Sequence, residues 1–159
     1  MKYRKLTKAE LETLESEFIR FLASNTVTAS DWEKIKKESP EKAENLIDMF
    51  SDIVIEQTLE RITYLDLKRP KDIRSYYCQK DKIYMKGIFI DGETDMTFDL
   101  DEIPEKMLAK FQHTDVELKV FKAEKAYKDS REMELFRLLE QGALISKDGH
   151  LYNMLSQLC

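Results

Sequence analysis

Six acids fall within twelve residues in DGETDMTFDLDE, Asp91 to Glu102. Carboxylates at alternate positions suit a hard cation, and an EF-hand count puts its ligand positions on Asp91, Glu93, Asp95, Thr97, Asp99 and Glu102. The backbone argues against calcium. Met96 stands at the sixth position, where the sharp turn requires glycine, and Gly92 stands at the second. Met96, Phe98 and Leu100 alternate with Thr97, Asp99 and Asp101, the pattern of a strand with one apolar face. Asp91-Gly92 between two apolar runs signals a type I′ hairpin. The stretch reads as a hairpin followed by a strand over 94–100.

Other chemistry is sparse. His113 and His150 lie far apart, and neither belongs to an H-x-x-x-H motif or pairs with cysteine at ligand spacing. Cys78, between Tyr77 and Gln79, reads as a small apolar packer. With four glycines and no G-x-x-x-x-G-K, G-x-G-x-x-G or G-x-S-x-G, the chain offers no phosphate cradle and no nucleophile elbow. No catalytic residue, metal site or cofactor is expected.

Charge is segregated. Residues 58–90 carry eight Lys/Arg against four Asp/Glu, and residues 91–105 carry seven acids and no base. Within the basic region Lys68, Arg69, Lys71, Arg74 and Lys82 intermix with Tyr76 and Tyr84. Bases interleaved with aromatics on a sheet can stack and neutralise single-stranded RNA. No RNP-like pattern accompanies them, and alternation forbids Tyr76 and Tyr77 from sharing a face. Trp32, beside Lys34, Lys36 and Lys37, is either an anchor for a partner or a staple holding its helix to the preceding one. The staple is favoured.

These residues need elements to hold them. Thr7 and Glu10 form a T-x-x-E capping box ahead of a helix to Ala23, with Leu11, Leu14, Phe18, Phe21 and Leu22 as its stripe. A second helix starts at Thr28 or Ser30. A third starts at Ser39-Pro40-Glu41 and runs to about Gln57. Strands follow at 62–68, 73–79, 82–90, 94–100 and 115–121, then a helix opening at Asp129 or Ser130 and closing at Gly142. The order predicts one α+β domain over 1–159: helices at 7–57 packed on a mainly antiparallel sheet of four or five strands at 62–121, and a carboxy-terminal helical part at 129–159. Leu14, Phe18, Phe21, Leu46 and Phe50 are its expected helical core. Val116, Leu118 and Val120 should line the inner sheet face, covered by Phe136 and Leu139.

The 159 residues are 42% hydrophobic and 36% charged, with net charge −5, which disfavours a chain-wide nucleic-acid binder. No apolar run is long enough for a membrane span, the start MKYRKLTKAELETLE lacks an apolar signal core, and there are only two cysteines. A reduced, cytoplasmic location without membrane association is expected. The stretches MKYRKLTKAELETLESEFIRFL, VTASDWEKIKKESPEKAENLIDMFSDIV and YLDLKRPKDIR resemble a family of uncharacterised Bacteroidota proteins of about this length. That resemblance implies a cytoplasmic bacterial protein and carries over no functional residue. The functional expectation is a non-catalytic binding or regulatory protein whose partner is another protein. RNA or ribosome association through 58–90 is the alternative, and an enzyme of unrecognised type the second alternative.

Overall fold

Capping side chains set the helix starts in the first sixty residues. The Thr7 hydroxyl accepts the Glu10 N–H at 3.2 Å and opens α1, Lys8–Thr13. The single helix expected to Ala23 is divided at Leu14, whose N–H is shared between the Glu10 and Leu11 carbonyls, and α2 resumes at Glu15–Ser24. Thr28 and Asp31 form a reciprocal capping box for α3, Ala29–Glu38. Pro40 opens α4, Pro40–Glu60, where its missing N–H costs no helical bond.

The computed structural model describes residues 1–159 as two units, Met1–Glu60 and Arg61–Cys159. In the first, Leu22, Val27 and Leu46 are buried together under Phe18, Phe21, Trp32 and Ile35. Phe50 is buried, with Phe18 and Phe21 ring centroids 5.0 and 5.4 Å away. Leu14, Phe18 and Phe21 are only half-buried, so the core is centred on α4 and not on the α2 stripe. Buried Ser51 pins the leading segment to α4: its hydroxyl accepts the Leu6 N–H at 3.0 Å and donates to the Ile47 carbonyl at 2.7 Å.

The second unit is built on five antiparallel strands: β1 Tyr64–Arg69, β2 Asp72–Cys78, β3 Lys82–Asp91, β4 Glu117–Ala126 and β5 Leu144–Ser146, in spatial order β4-β3-β2-β1-β5. The class is α+β, as expected. Two details differ. The segment 94–100 is not a strand, and Asp91-Gly92 is not a two-residue hairpin, because both sides of β3 are occupied by β2 and β4. The alternation of Met96, Phe98 and Leu100 instead serves a covering segment. Phe98 packs on Phe111 at 5.3 Å, just beyond α5 (Pro104–Ala109), and its N–H donates to the Pro70 carbonyl at 2.7 Å. The fifth strand is β5, in the tail.

Register fixes two faces. One carries Tyr64, Asp66 and Lys68 on β1, Tyr77, Ser75 and Ile73 on β2, Tyr84, Lys86, Ile88 and Ile90 on β3, and Glu124, Lys122, Val120 and Leu118 on β4. Ile73, Ile88 and Ile90 there bury against Phe98, Met107, Phe111, and Leu151 and Leu155 of α7, His150–Ser156. Leu118 and Val116 pack at the margin of that cluster, while Val120 is 41% exposed because β4 is an edge strand. The opposite face carries Leu65, Tyr76, Arg74, Met85, Gly87 and Phe121. In α6, Arg131–Glu140, the fully buried residue is Leu135; Phe136 and Leu139 are half-buried.

Candidate functional site

β4 is ten residues long, pairs with β3 alone, and is exposed along most of its length. The parity of its ladder follows from the β2–β3 pairing. The Ile90 N–H donates to Lys71 and the Lys82 carbonyl accepts from Gln79, so the even residues of β3 bond toward β2. The odd residues of β3 therefore bond to the odd residues of β4. That leaves the N–H and C=O groups of Leu118, Val120, Lys122 and Glu124 directed away from the sheet.

Side chains hold this edge in place. Phe121 lies over Gly87, and any Cβ at position 87 would sit 2.2 Å from its ring. The same ring meets Phe89 at 5.8 Å and carries the Arg74 guanidinium at 5.5 Å. Lys119 pairs with Asp91 at 3.1 Å and Lys125 with Glu134 at 3.0 Å. Burial pushes the Glu134 carboxyl up, but the Lys128 N–H at 2.6 Å and Lys125 outweigh it and hold it below the usual range.

Beside the edge runs a tyrosine row. Tyr64 and Tyr77 stack at 5.0 Å, Tyr84 follows Tyr77 at 6.1 Å, and Tyr152 from α7 closes on Tyr64 and Tyr77 at 5.7 and 5.6 Å. Gly149, at φ 67°, begins α7 against the Tyr64 ring, where a Cβ would clash at 2.5 Å. One row along, fully buried Ser75 donates to Asp66 at 2.6 Å. Burial raises the Asp66 carboxyl, and the Ser75 bond only partly offsets it.

The predicted binding residues are dispersed. Tyr76 lies opposite Met85 on one face and Tyr84 opposite Tyr77 on the other. Lys68 shares the Tyr84 face and Arg69 the Tyr76 face. Arg74 is bound to Asp72 at 3.0 Å, Lys82 to Glu124 at 3.3 Å, and the Lys71 ammonium to the Thr94 carbonyl. Trp32 packs edge-on to Phe18 at 5.2 Å, with the Lys36 ammonium 5.7 Å from its ring. It joins α3 to α2. The outward groups of β4 were invisible to side-chain reasoning, since the free edge depends on pairing order; the long alternation after Asp115 was its signal.

Cys78 is 4% exposed and its thiol is pushed by burial up to about 12, so at neutral pH it stays protonated. Arg131, at the start of α6, donates to the Ile62, Cys78 and Gln79 carbonyls and ties the adjoining ends of β1 and β2. His150 is paired with Glu105. No helix is long and apolar enough to cross a membrane.

These features define an α+β protein with an open-edged antiparallel sheet. The chain belongs to a family of unknown function (DUF6495), whose model matches residues 1–159. No curated protein and no solved structure matches it.

Proposed function

We propose that the protein is a non-catalytic binding protein that acts through protein contacts, with β4 as the surface that receives an extended segment of its partner. The free, regular edge of β4 carries this reading. Strand addition takes affinity from main-chain hydrogen bonds and specificity from alternate side chains. Natural sheets tend to cover, shorten or bulge their edges, and β4 is long and unbroken, with lysines as its main protection. The two free cysteines suit a reducing bacterial cytoplasm. The RNA alternative loses support from the dispersal of Tyr76 and Tyr84 over two faces and from the carboxylate partners of Arg74 and Lys82.

The test uses proline. Val120→Pro removes an outward N–H and leaves the β3 ladder intact, a change tolerated on edge strands. A photo-crosslinker at Ala126 in the native host should give one discrete protein adduct, lost in Val120→Pro and kept in Val120→Thr. An adduct unaffected by Val120→Pro, or one containing RNA, would reject strand addition at this edge.

A further inference from the structure

β3 and β4 set two lysines directly opposite each other, Lys86 and Lys122. Ladder parity makes this a pair without mutual backbone hydrogen bonds, the closer type, with Cα atoms about 4.5 Å apart. Like charges so placed destabilise a sheet. The acid nearest in register is already engaged: Glu124, two residues along on the same face, is held by Lys82 at 3.3 Å. Lys86 donates to the Ser156 hydroxyl at 2.8 Å and lies 5.2 Å from the Tyr152 ring, both uncharged partners. Around the two lysines opens a cleft of about 450 Å³, lined also by Tyr84, Tyr152 and the Glu124 carboxylate that Lys82 pairs.

We infer that this cleft binds a phosphate group carried on an aromatic ring, the phosphate bridging Lys86 and Lys122 and the ring lying against Tyr84. A dianion can draw together two lysines that stand opposed in register, and compact lysine charges suit phosphate. The half-buried Tyr84 ring, with buried Tyr152 behind it, favours a ring over an aliphatic chain. The volume falls within the range of small-molecule sites, about 300–1,000 Å³. The side chains involved point to one sheet face, so this site stands independently of strand addition along the edge.

Titration of the full chain with phenyl phosphate, inorganic phosphate and phenol, followed by amide NMR, tests the assignment. Phenyl phosphate should perturb Tyr84, Lys86 and Lys122 and bind about tenfold tighter than inorganic phosphate, the contribution of one aromatic pair. Lys122→Gln, at an exposed position, should weaken phenyl phosphate about tenfold or more. The same variant should raise the thermal midpoint of the free protein, since the repulsion is gone. Perturbations elsewhere, phenol binding as tightly as phenyl phosphate, equal affinity for the two phosphates, unchanged affinity in Lys122→Gln, or a lowered midpoint would each overturn the assignment.

Discussion

Replacing Gly87 by alanine tests how the β4 edge is seated. The added Cβ would fall 2.2 to 2.7 Å from three atoms of the Phe121 ring, where carbon contacts settle at about 3.5–4.0 Å. The ring must therefore move by more than an ångström, away from Phe89 and Arg74, its present neighbours. Overpacking of this kind costs about 1–3 kcal/mol. Alanine returns about 0.5–1 kcal/mol of backbone entropy relative to glycine. The net expectation is a loss of roughly 1–2 kcal/mol. In a Phe121→Ala background the three clashing ring atoms are gone, and Gly87→Ala should become neutral or stabilising by up to about 1 kcal/mol. The double-mutant cycle thus predicts a coupling of about 1–3 kcal/mol between adjacent strands. Urea unfolding followed by circular dichroism reads it, with an unchanged m-value expected for all four proteins. An equal cost of Gly87→Ala in both backgrounds would refute the idea that Phe121 occupies the space above the glycine.

Two further outcomes follow from buried groups. Asp66 has a folded pKa raised first by burial, so the native state binds more protons than the unfolded one in the window above the ordinary carboxylate range. Its contribution to stability falls as pH rises through that window. Asp66→Asn keeps an acceptor for Ser75 and removes this dependence. The stability of wild type minus that of the variant should decline with rising pH, and a flat or rising difference in pH-resolved urea titrations would contradict it. Cys78 is buried with its thiol pushed up to about 12, and Cys159 is exposed. A thiol reagent at pH 8 should label one group quickly, lost in Cys159→Ser, and reach Cys78 only after denaturant is added; fast labelling in Cys159→Ser would count against the burial.

Local signals in the sequence were legible where one side chain decides the outcome. Pro40 marks a helix start on its own, while of the pairs Thr28 or Ser30 and Asp129 or Ser130 the caps are Thr28 and Ser130. The strands β1 to β3 were readable as a meander because short turns join them. Asp91-Gly92 misled because a turn dipeptide reports what the backbone can do, while pairing order decides what it does. Gly92 does adopt a positive φ of 84°, but it opens a long excursion through α5 before β4 returns. The alternation of 94–100 was real and its partner was misjudged, since period two fits any segment with one covered side. β5, three residues long, lies below what periodicity can show. The candidate sites suffered most. The Lys86–Lys122 opposition and the outward groups of β4 exist only in register, which no single segment carries.

That long return has a kinetic meaning. The centre of the sheet is made of neighbours in sequence, whereas each outer strand arrives by a distant closure: β4 on β3 across residues 92–116, and β5 on β1 across residues 70–143. Contacts between near neighbours cost less loop entropy and form sooner than those across long loops. The β1–β2–β3 meander is thus the natural early nucleus, and its flanks are completed late. The same ordering applies in reverse to fluctuations of the folded state, which start from elements with few buried contacts. When β4 lifts away, the bonding groups of β3 beneath it are bared for an instant. A chain that captures strands at this edge would therefore have to distinguish a guest from its own returning β4.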